Sequence, residues 1–193
     1  MEFSNQQNYG NFKVIKTFND VTFDEGAKPL IICDIDHTLI RCSHGLEYFR
    51  DMIKKDSNLI VEIGKFDIDY EKEAYDLMKK AYNFGFVKQT DPEGFNRMLQ
   101  TTQKLCGKLI FLTARGIEYH QKTINDLKRA GFEHPELFDI HYTNSEMSKG
   151  EYIKKTNLID GYQHISFIDD YPSFILSVHH FFPQIHCYLF QYD

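Results

Sequence analysis

The stretch LIICDIDHT, residues 30–38, places two carboxylates directly after a short apolar run. An uninterrupted apolar run is typical of a strand that is buried on both faces, as in a parallel sheet. Side chains alternate along a strand, so Asp34 and Asp36 begin on the same face. Unpaired carboxylates are rarely buried, because their desolvation is expensive. The pair therefore predicts a cation, a reacting group or both at the carboxyl end of this strand.

Further apolar runs alternate with helical patterns along the chain. The runs that predict strands cover residues 109–113, 140–142, 165–168 and 185–189. Residues 117–130 form an amphipathic helical pattern that Gly131 stops. Ser148 and Glu151 have the spacing of a capping box, which predicts a helix from there to about Leu158. This alternation predicts an α/β fold with a doubly wound, Rossmann-like parallel sheet.

Residues 41–105 interrupt the alternation. They contain helical patterns, at 45–55 and 70–83, but no convincing buried strand. Connections in α/β units usually span 2–6 residues, plus a crossover helix, so this segment is far too long for one. We expect a small helical cap inserted after the first core strand, with the α/β core formed by residues 1–40 and 106–193.

Composition and charge narrow the class of protein. A chain of 193 residues suits one domain with a small accessory lobe. Its formal net charge of −6 argues against extended nucleic-acid binding, which needs a basic surface. The start is polar, and no apolar run approaches the roughly 20 residues of a membrane helix. The four cysteines form no CxxC pair, so we expect reduced thiols and a cytoplasmic location. We expect no membrane contact, and the sequence leaves the oligomeric state open.

Four polar clusters fall at the ends of predicted strands or just after them. Asp34 and Asp36 follow the first strand, and Thr113 with Ala114 ends the second. Lys149 opens the capped helix, and the pair Asp169-Asp170 ends the strand at 165–168. In open parallel sheets, ligands bind beyond the carboxyl ends of the strands. The four clusters are therefore expected to meet in one crevice.

These groups suit phosphoryl transfer with magnesium. Mg²⁺ prefers hard oxygen ligands, which Asp34, Asp169 and a backbone carbonyl near Asp36 could supply. An ionised carboxylate such as Asp34 can attack phosphorus and form an aspartyl-phosphate. Asp36 could then protonate the leaving oxygen and activate water, which requires its pKa to be raised toward neutrality. Thr113 and Lys149 would hold the non-bridging oxygens.

The motifs resemble those of a known superfamily in order and placement. DIDHTL at 34–39, FLTAR at 111–115, Lys149 and FIDD at 167–170 are similar to motifs I to IV of the haloacid dehalogenase superfamily. The second aspartate of the first motif points to its phosphatase and phosphotransferase branches. The chain around 116–117 and 170–174 also looks similar to a poorly characterised branch. Ser173 is the nearest candidate for the small polar residue that usually follows the last aspartates.

The resemblance implies an enzyme that needs Mg²⁺, with Asp34 as nucleophile and Asp36 as general acid and base. It places Thr113, Ala114 and Lys149 on the phosphate. The metal ligands that it implies are Asp34, Asp36, Asp169 and Asp170. The substrate would be a small phosphomonoester or a phosphoprotein.

Other interpretations remain open on the sequence. Cys33, His37, Cys42 and His44 are residue types that zinc binds, although their spacing fits no usual finger. Arg115 could contact phosphate or substrate, or form an ion pair. A phosphoacceptor signalling module uses similar residues, but it carries its phosphorylated aspartate on a different strand. A catalytically silent α/β binding protein is the third possibility.

Overall fold

The computed structural model describes residues 12–42 and 87–191. The helical patterns predicted at 45–55 and 70–83 lie outside these residues, so their prediction stands untested.

A six-stranded parallel sheet forms the centre of the described fold. The strands in chain order are β1 (Phe12–Ile15), β2 (Pro29–Cys33), β3 (Ile40–Cys42), β4 (Val87–Gln89), β5 (Lys108–Thr113), β6 (Asp139–Tyr142), β7 (His164–Asp169) and β8 (His186–Phe190). The sheet has the order β1-β8-β7-β2-β5-β6, while β3 and β4 pair as a separate antiparallel ribbon. From β2 the chain continues to β5 and β6 on one side and then returns to β7 and β8 on the other. The strand order thus reverses beside β2, which is where α/β sheets bind ligands.

Helices cover both faces of the sheet. They are α1 (Pro92–Lys104), α2 (His120–Arg129), α3 (Lys149–Thr156) and α4 (Pro172–Phe181). One apolar cluster joins Ile31 and Phe111 to Phe95 of α1 and Leu127 of α2. A second cluster on the other face joins strand residues to α3 and α4, and its members include Ile32, Phe167, Ile153, Ile175 and Val178. The fold is therefore a doubly wound α/β sheet, as predicted.

The five predicted strands and two of the helices are confirmed, with small shifts at their ends. The helix predicted at 117–130 begins with a 3-10 turn at Ile117–Tyr119 and continues as α2. Gly131 follows α2 with a φ of +97°, a conformation that favours glycine. Strand β1 was not predicted: it is a short edge strand in which only Ile15 is buried, and Val14 is 50% exposed.

The boundaries expected for the inserted cap need correction. The expected cap includes residues 92–104, but α1 packs against the sheet. Phe95 of α1 lies 5.8 Å from Phe18, 5.4 Å from Phe132 and 6.4 Å from Phe111, measured between ring centroids. The N-cap residue of α1, Asp91, also accepts hydrogen bonds from Thr17 Oγ1 and the Phe18 amide. The helix buries its apolar face in the core. Strands β3, which begins at Ile40, and β4 are short strands at the two ends of the gap between the described ranges, where no buried strand was expected.

No helix in residues 12–42 and 87–191 combines the length and apolar character needed to cross a membrane.

Candidate functional site

The register between β2 and β7 places two aspartates side by side. Cys33 pairs with Ile168, and the next amide, that of Asp34, donates to the Ile168 carbonyl at 2.9 Å. Asp34 therefore lies level with Asp169 at the carboxyl ends of neighbouring parallel strands. By alternation, both side chains point to the face that α3 and α4 cover. Both residues are buried, Asp34 being 5% and Asp169 0% exposed.

The ammonium of Lys149 lies between these two carboxylates. Its Nζ donates to Asp34 Oδ1 at 2.5 Å and to Asp169 Oδ2 at 2.7 Å. Lys149 is fully buried, which is rare for a lysine and requires paired charges. Its Nζ also lies 4.7 Å from the ring centroid of Phe174, a favourable cation–π distance.

Helix α3 positions Lys149 through its cap and its close contact with α4. Ser148 and Glu151 form the predicted capping box, so the helix starts at Lys149. The next residue, Gly150, faces the backbone of α4, where an added Cβ would lie 2.2 Å from the Ser177 carbonyl oxygen. A residue larger than glycine would therefore push the two helices apart. Its small size sets the depth at which Lys149 enters the site.

Asp170 completes an acidic group that can hold a cation. Carboxylate oxygens of Asp34, Asp169 and Asp170 all lie within 4.8 Å of one another. Asp170 accepts from Thr38 Oγ1 at 3.3 Å, and Asp169 accepts from the Tyr171 amide at 2.8 Å. With Lys149 included, the ionised group carries two net negative charges, which one divalent cation would neutralise.

Burial dominates the electrostatics of this group. Burial raises the pKa of Asp34 to about 7 and the pKa of Asp170 to about 6, and it also raises the pKa of Asp169. Burial alone would lower the pKa of Lys149, but the carboxylates of Asp169 and Asp34 outweigh it, and the pKa lies above its usual value. Without a further cation, burial therefore moves the titration of these carboxylates from the acid range toward neutral pH.

Asp36 has a different environment from the other aspartates. Arg115 donates from Nε to Asp36 Oδ2 at 2.8 Å and from Nη2 to Asp36 Oδ1 at 2.7 Å, a two-point ion pair. Among the described residues, the close acidic group contains Asp34, Asp169 and Asp170, but not the Asp36 carboxylate. Arg115 is itself held by Asp126 Oδ2 and Thr123 Oγ1, both at 3.0 Å. Of the two possibilities for Arg115, the structure shows the ion pair.

Thr113 and Ala114 lie at the adjacent strand end. Thr113, at the end of β5, is buried, and its Oγ1 accepts from the Arg115 amide at 3.2 Å. Ala114 follows it and borders a cavity of about 390 Å³ that Phe174 also lines. The remaining lining residues are Thr143, Ser145, Glu146, Met147, Ser148 and Glu151. Phe174 lines this cavity, and its ring also lies 4.7 Å from Lys149 Nζ, so this ring lies between the cavity and the lysine.

The zinc alternative finds little support in the described residues. Cys33 points into the apolar cluster on the opposite face from Asp34, and its Sγ donates to the Asp34 carbonyl at 3.2 Å. Burial raises the pKa of the Cys33 thiol well above its usual value, which disfavours the thiolate that binds metal. The Cys42 side chain and His44 lie outside the described residues.

Sequence reasoning missed several residues that shape the site. The Asp36–Arg115 ion pair, the Gly150 contact and the Phe174 ring depend on tertiary packing. The sequence contains one indication of the role of Arg115: this residue follows Thr113 by two positions, so it lies near the carboxyl end of the same strand. Ser173, expected near the metal, is exposed at the start of α4.

The family model that matches this chain covers residues 13–144 and is described as "Protein of unknown function (DUF2608)". This is about two thirds of the chain. The chain belongs to the DUF2608 family. The matched part of this DUF2608 protein includes Asp34, Asp36 and Thr113, and it ends before Lys149. No curated protein matches the sequence.

Among solved structures, the DUF2608 chain is similar to a hydrolase from Streptococcus pneumoniae TIGR4. The crystal structure of that protein aligns with a TM-score of 0.48 and 12% identity, over 87% of this chain and 95% of the other. A likeness at this level assigns no activity to the DUF2608 protein.

Replacing Lys149 should test how far the site depends on its charge. We expect Lys149→Met to lower the free energy of unfolding by about 3–5 kcal/mol, because two buried carboxylates lose their shared cation. Urea unfolding without divalent cations would measure this. Lys154→Met on the same helix is the matched control, since Lys154 is exposed, and it should cost less than about 1 kcal/mol. Equal losses in the two variants would contradict the buried ion pair.

The raised pKa values predict how the stability of the metal-free protein depends on pH. Folding raises the pKa of Asp34 to about 7 and that of Asp170 to about 6, so the native state binds more protons than the unfolded chain. This stabilisation is complete below about pH 4 and disappears as pH rises through 7. In EDTA we expect the free energy of unfolding to fall by on the order of 3 kcal/mol between pH 5 and pH 8.

Urea titrations at both pH values, with and without Mg²⁺, would measure this effect. A cation that binds ionised carboxylates should stabilise the protein more at pH 8 than at pH 5. Asp34→Asn should flatten the profile. The same stability at pH 5 and pH 8 in EDTA would be the contrary result.

Proposed function

We propose that this protein is a Mg²⁺-dependent phosphatase of the haloacid dehalogenase type, which hydrolyses a phosphomonoester through an aspartyl-phosphate on Asp34. One observation carries the proposal: Asp34 and Asp169 share the buried Lys149 ammonium, beside Asp170, at the point where the strand order reverses. The desolvation of these buried charges is costly and has no evident structural purpose, because apolar residues of similar volume would stabilise a core at least as well.

The donor set fits Mg²⁺. Asp34, Asp169 and Asp170 offer hard carboxylate oxygens within 4.8 Å of one another, and their net charge with Lys149 calls for a divalent cation. The backbone carbonyl of Asp36 is a further candidate ligand. Bound there, Mg²⁺ would neutralise charge on the phosphate oxygens and keep the carboxylates ionised.

Asp34 is the proposed nucleophile. Its carboxylate oxygen forms a bond to phosphorus while the bond from phosphorus to the ester oxygen breaks, and the ester oxygen leaves as the alcohol after it gains a proton. Water then attacks the phosphorus, the bond to Asp34 breaks, and inorganic phosphate leaves. Lys149 contacts Asp34 directly and would hold a phosphate oxygen beside it, with Thr113 and the backbone at Ala114 on the other side.

Asp36 is the proposed proton carrier, and Arg115 is its positioning residue. Both carboxylate oxygens of Asp36 are bound by Arg115, which fixes the side chain but favours its ionised form. To protonate the leaving oxygen, Asp36 must enter the first step protonated, on an oxygen that Arg115 has released, and it becomes a carboxylate when it gives up that proton. As a carboxylate, it is ready to take a proton from the water of the second step.

The cavity beside Phe174 and Ala114 supplies space for the leaving group. At about 390 Å³ it would accept a small organic molecule, and its hydroxyl and carboxylate lining suits a polar one. The substrate proposed is therefore a small phosphomonoester, with a phosphoprotein as the alternative. We retain residues 43–86 as the proposed cap and a reducing cytoplasm as the proposed location, which suits the free thiols of Cys33, Cys106 and Cys187.

Loss of the nucleophile is the direct test. The wild type should release phosphate from some member of a broad phosphomonoester panel with Mg²⁺, and EDTA should stop it. Asp34→Asn should lower kcat by at least about 10³-fold, because an amide cannot form the covalent intermediate. Asp139→Asn is the matched control: Asp139 is a surface carboxylate paired with Lys108, and its loss should leave kcat unchanged.

Acid quenching with labelled substrate separates the alternatives. Label on the wild type that is absent from Asp34→Asn, together with turnover, supports the phosphatase. Stoichiometric label without release of phosphate would indicate a phosphoacceptor module instead. Neither label nor turnover across the panel would favour a silent binding protein and end the proposal.

The role of Arg115 gives a second test of the mechanism. Arg115→Lys keeps the charge but cannot form the two-point pair with Asp36. We expect kcat to fall by roughly tenfold or more while KM changes less than threefold, because proton transfer suffers and substrate binding does not.

Arg129→Lys is the control, since Arg129 also pairs with Asp126, at 3.6 Å. It should preserve kcat. Added guanidinium should partly restore Arg115→Ala. If Arg115→Lys instead raises KM and leaves kcat unchanged, Arg115 would be a substrate contact.

A further inference from the structure

A second group of metal-ligating side chains lies at the opposite rim of the sheet. His164 opens β7, His186 opens β8, and Asp24 lies in the connection between β1 and β2. One ligand atom from each of the three lies within 4.8 Å of the others. We propose that Asp24, His164 and His186 bind a transition-metal ion of the Zn²⁺ class. The proposal is independent of the phosphatase function.

The sheet register brings the two histidines together. Ser166 of β7 pairs with His186 of β8, and His164 lies two residues before Ser166 on the same face. The two imidazole rings lie 4.6 Å apart between centroids. Strand β7 runs from His164 to Asp169, so this group is about 17 Å from the acidic group at the other end of the strand.

His164 has the features of a preorganised ligand. It is 1% exposed, and its Nδ1 is buried without an aligned hydrogen bond to any described residue. Asp24 Oδ2 lies 3.0 Å from this nitrogen. The other nitrogen, Nε2, lies 3.3 Å from Ser166 Oγ, which can accept its proton. Ser166 Oγ can either donate to Nε2 or accept from it. Where it accepts, the Nδ1 lone pair is free to bind a metal beside Asp24, an arrangement typical of ligating histidines.

The separations fit a shared ion after a small adjustment. Two ligands about 2.1 Å from one tetrahedral ion lie about 3.4 Å apart, close to the distance between His164 Nδ1 and Asp24 Oδ2. The ring of His186 is nearly parallel to that of His164, at 18°, so it must rotate to direct a lone pair at the same ion. His186 and Asp24 are both exposed and can make such a movement.

The ligand chemistry selects a different ion from the acidic group. Two imidazoles and one carboxylate suit Zn²⁺, Co²⁺ or Ni²⁺, whereas Mg²⁺ prefers oxygen ligands alone. Three protein ligands leave one tetrahedral position for water. The ion would link the connection that carries Asp24 to strands β7 and β8 and so stabilise this rim of the sheet.

Zn²⁺ titration by calorimetry tests the proposal on the full chain. The Asp34→Asn variant in excess Mg²⁺ provides the background, so that the acidic group does not compete. We expect one Zn²⁺ per chain with micromolar or tighter affinity, and a rise in Tm. His186→Ala and Asp24→Asn, both at exposed positions, should each weaken binding by roughly tenfold or more and reduce the rise in Tm. Co²⁺ should give a visible spectrum that both variants lose.

Two control variants make the outcome specific. His134→Ala removes an exposed imidazole whose ion-pair partner, 3.4 Å away, is the carboxylate of Glu136. Because this pair includes one histidine and not two, the variant should leave Zn²⁺ binding unchanged. His37→Ala should also leave binding unchanged. The proposal is overturned by the absence of micromolar binding, by binding that both His186→Ala and Asp24→Asn retain, or by binding that only His37→Ala removes.

Discussion

The ammonium of Lys149, shared between two buried carboxylates, is the interaction on which the site depends. It requires the register that sets Asp34 level with Asp169, and it requires α3 to lie close enough to α4 for a fully buried lysine to reach both. Gly150 permits that approach, since any side chain there would meet the Ser177 carbonyl. Backbone geometry, more than side-chain attraction, therefore places the charges. Their attraction then compensates for the loss of water around them.

Charge compensation divides the aspartates of this rim into two sets. Asp36 is satisfied within the protein, because Arg115 binds both its oxygens and Asp126 holds Arg115 in turn. Among the described residues, Asp34 and Asp169 share the Lys149 ammonium while Asp170 accepts from Thr38, so the three carboxylates together retain an excess of negative charge. A site with this division can take up a divalent cation without disturbing Asp36. The two chemical roles proposed for Asp34 and Asp36 thus correspond to two different electrostatic environments, although the residues are only two positions apart.

The sequence predicts much of this arrangement because its strongest signals are local. Continuous apolar runs mark the buried strands, and the parallel fold brings the residues that follow them to one rim. Lys149 was predictable only through its place in the motif order, since a lysine at a helix start is usually exposed. The pairing of Arg115 with Asp36 was not predictable, because it depends on how α2 presents Asp126 and Thr123. The position of α1 was misjudged for a similar reason: an amphipathic pattern shows that a helix has an apolar face, but not which core receives it.

The same strand, β7, joins two rims of opposite chemistry. Its last residue, Asp169, belongs to a group of oxygen ligands, and its first, His164, belongs to a group with two imidazoles. Mg²⁺ prefers oxygen ligands and Zn²⁺ also accepts imidazole nitrogen, so ligand type alone would direct Mg²⁺ to the rim with Asp169 and Zn²⁺ to the rim with His164. His164 Nδ1 is buried and has the exposed carboxylate of Asp24 3.0 Å away but not aligned with it, so this nitrogen, like the excess of buried carboxylates, is incompletely compensated. Both ends of β7 thus carry unfavourable polar groups, and in each case a bound cation is the simplest group that would relieve the cost.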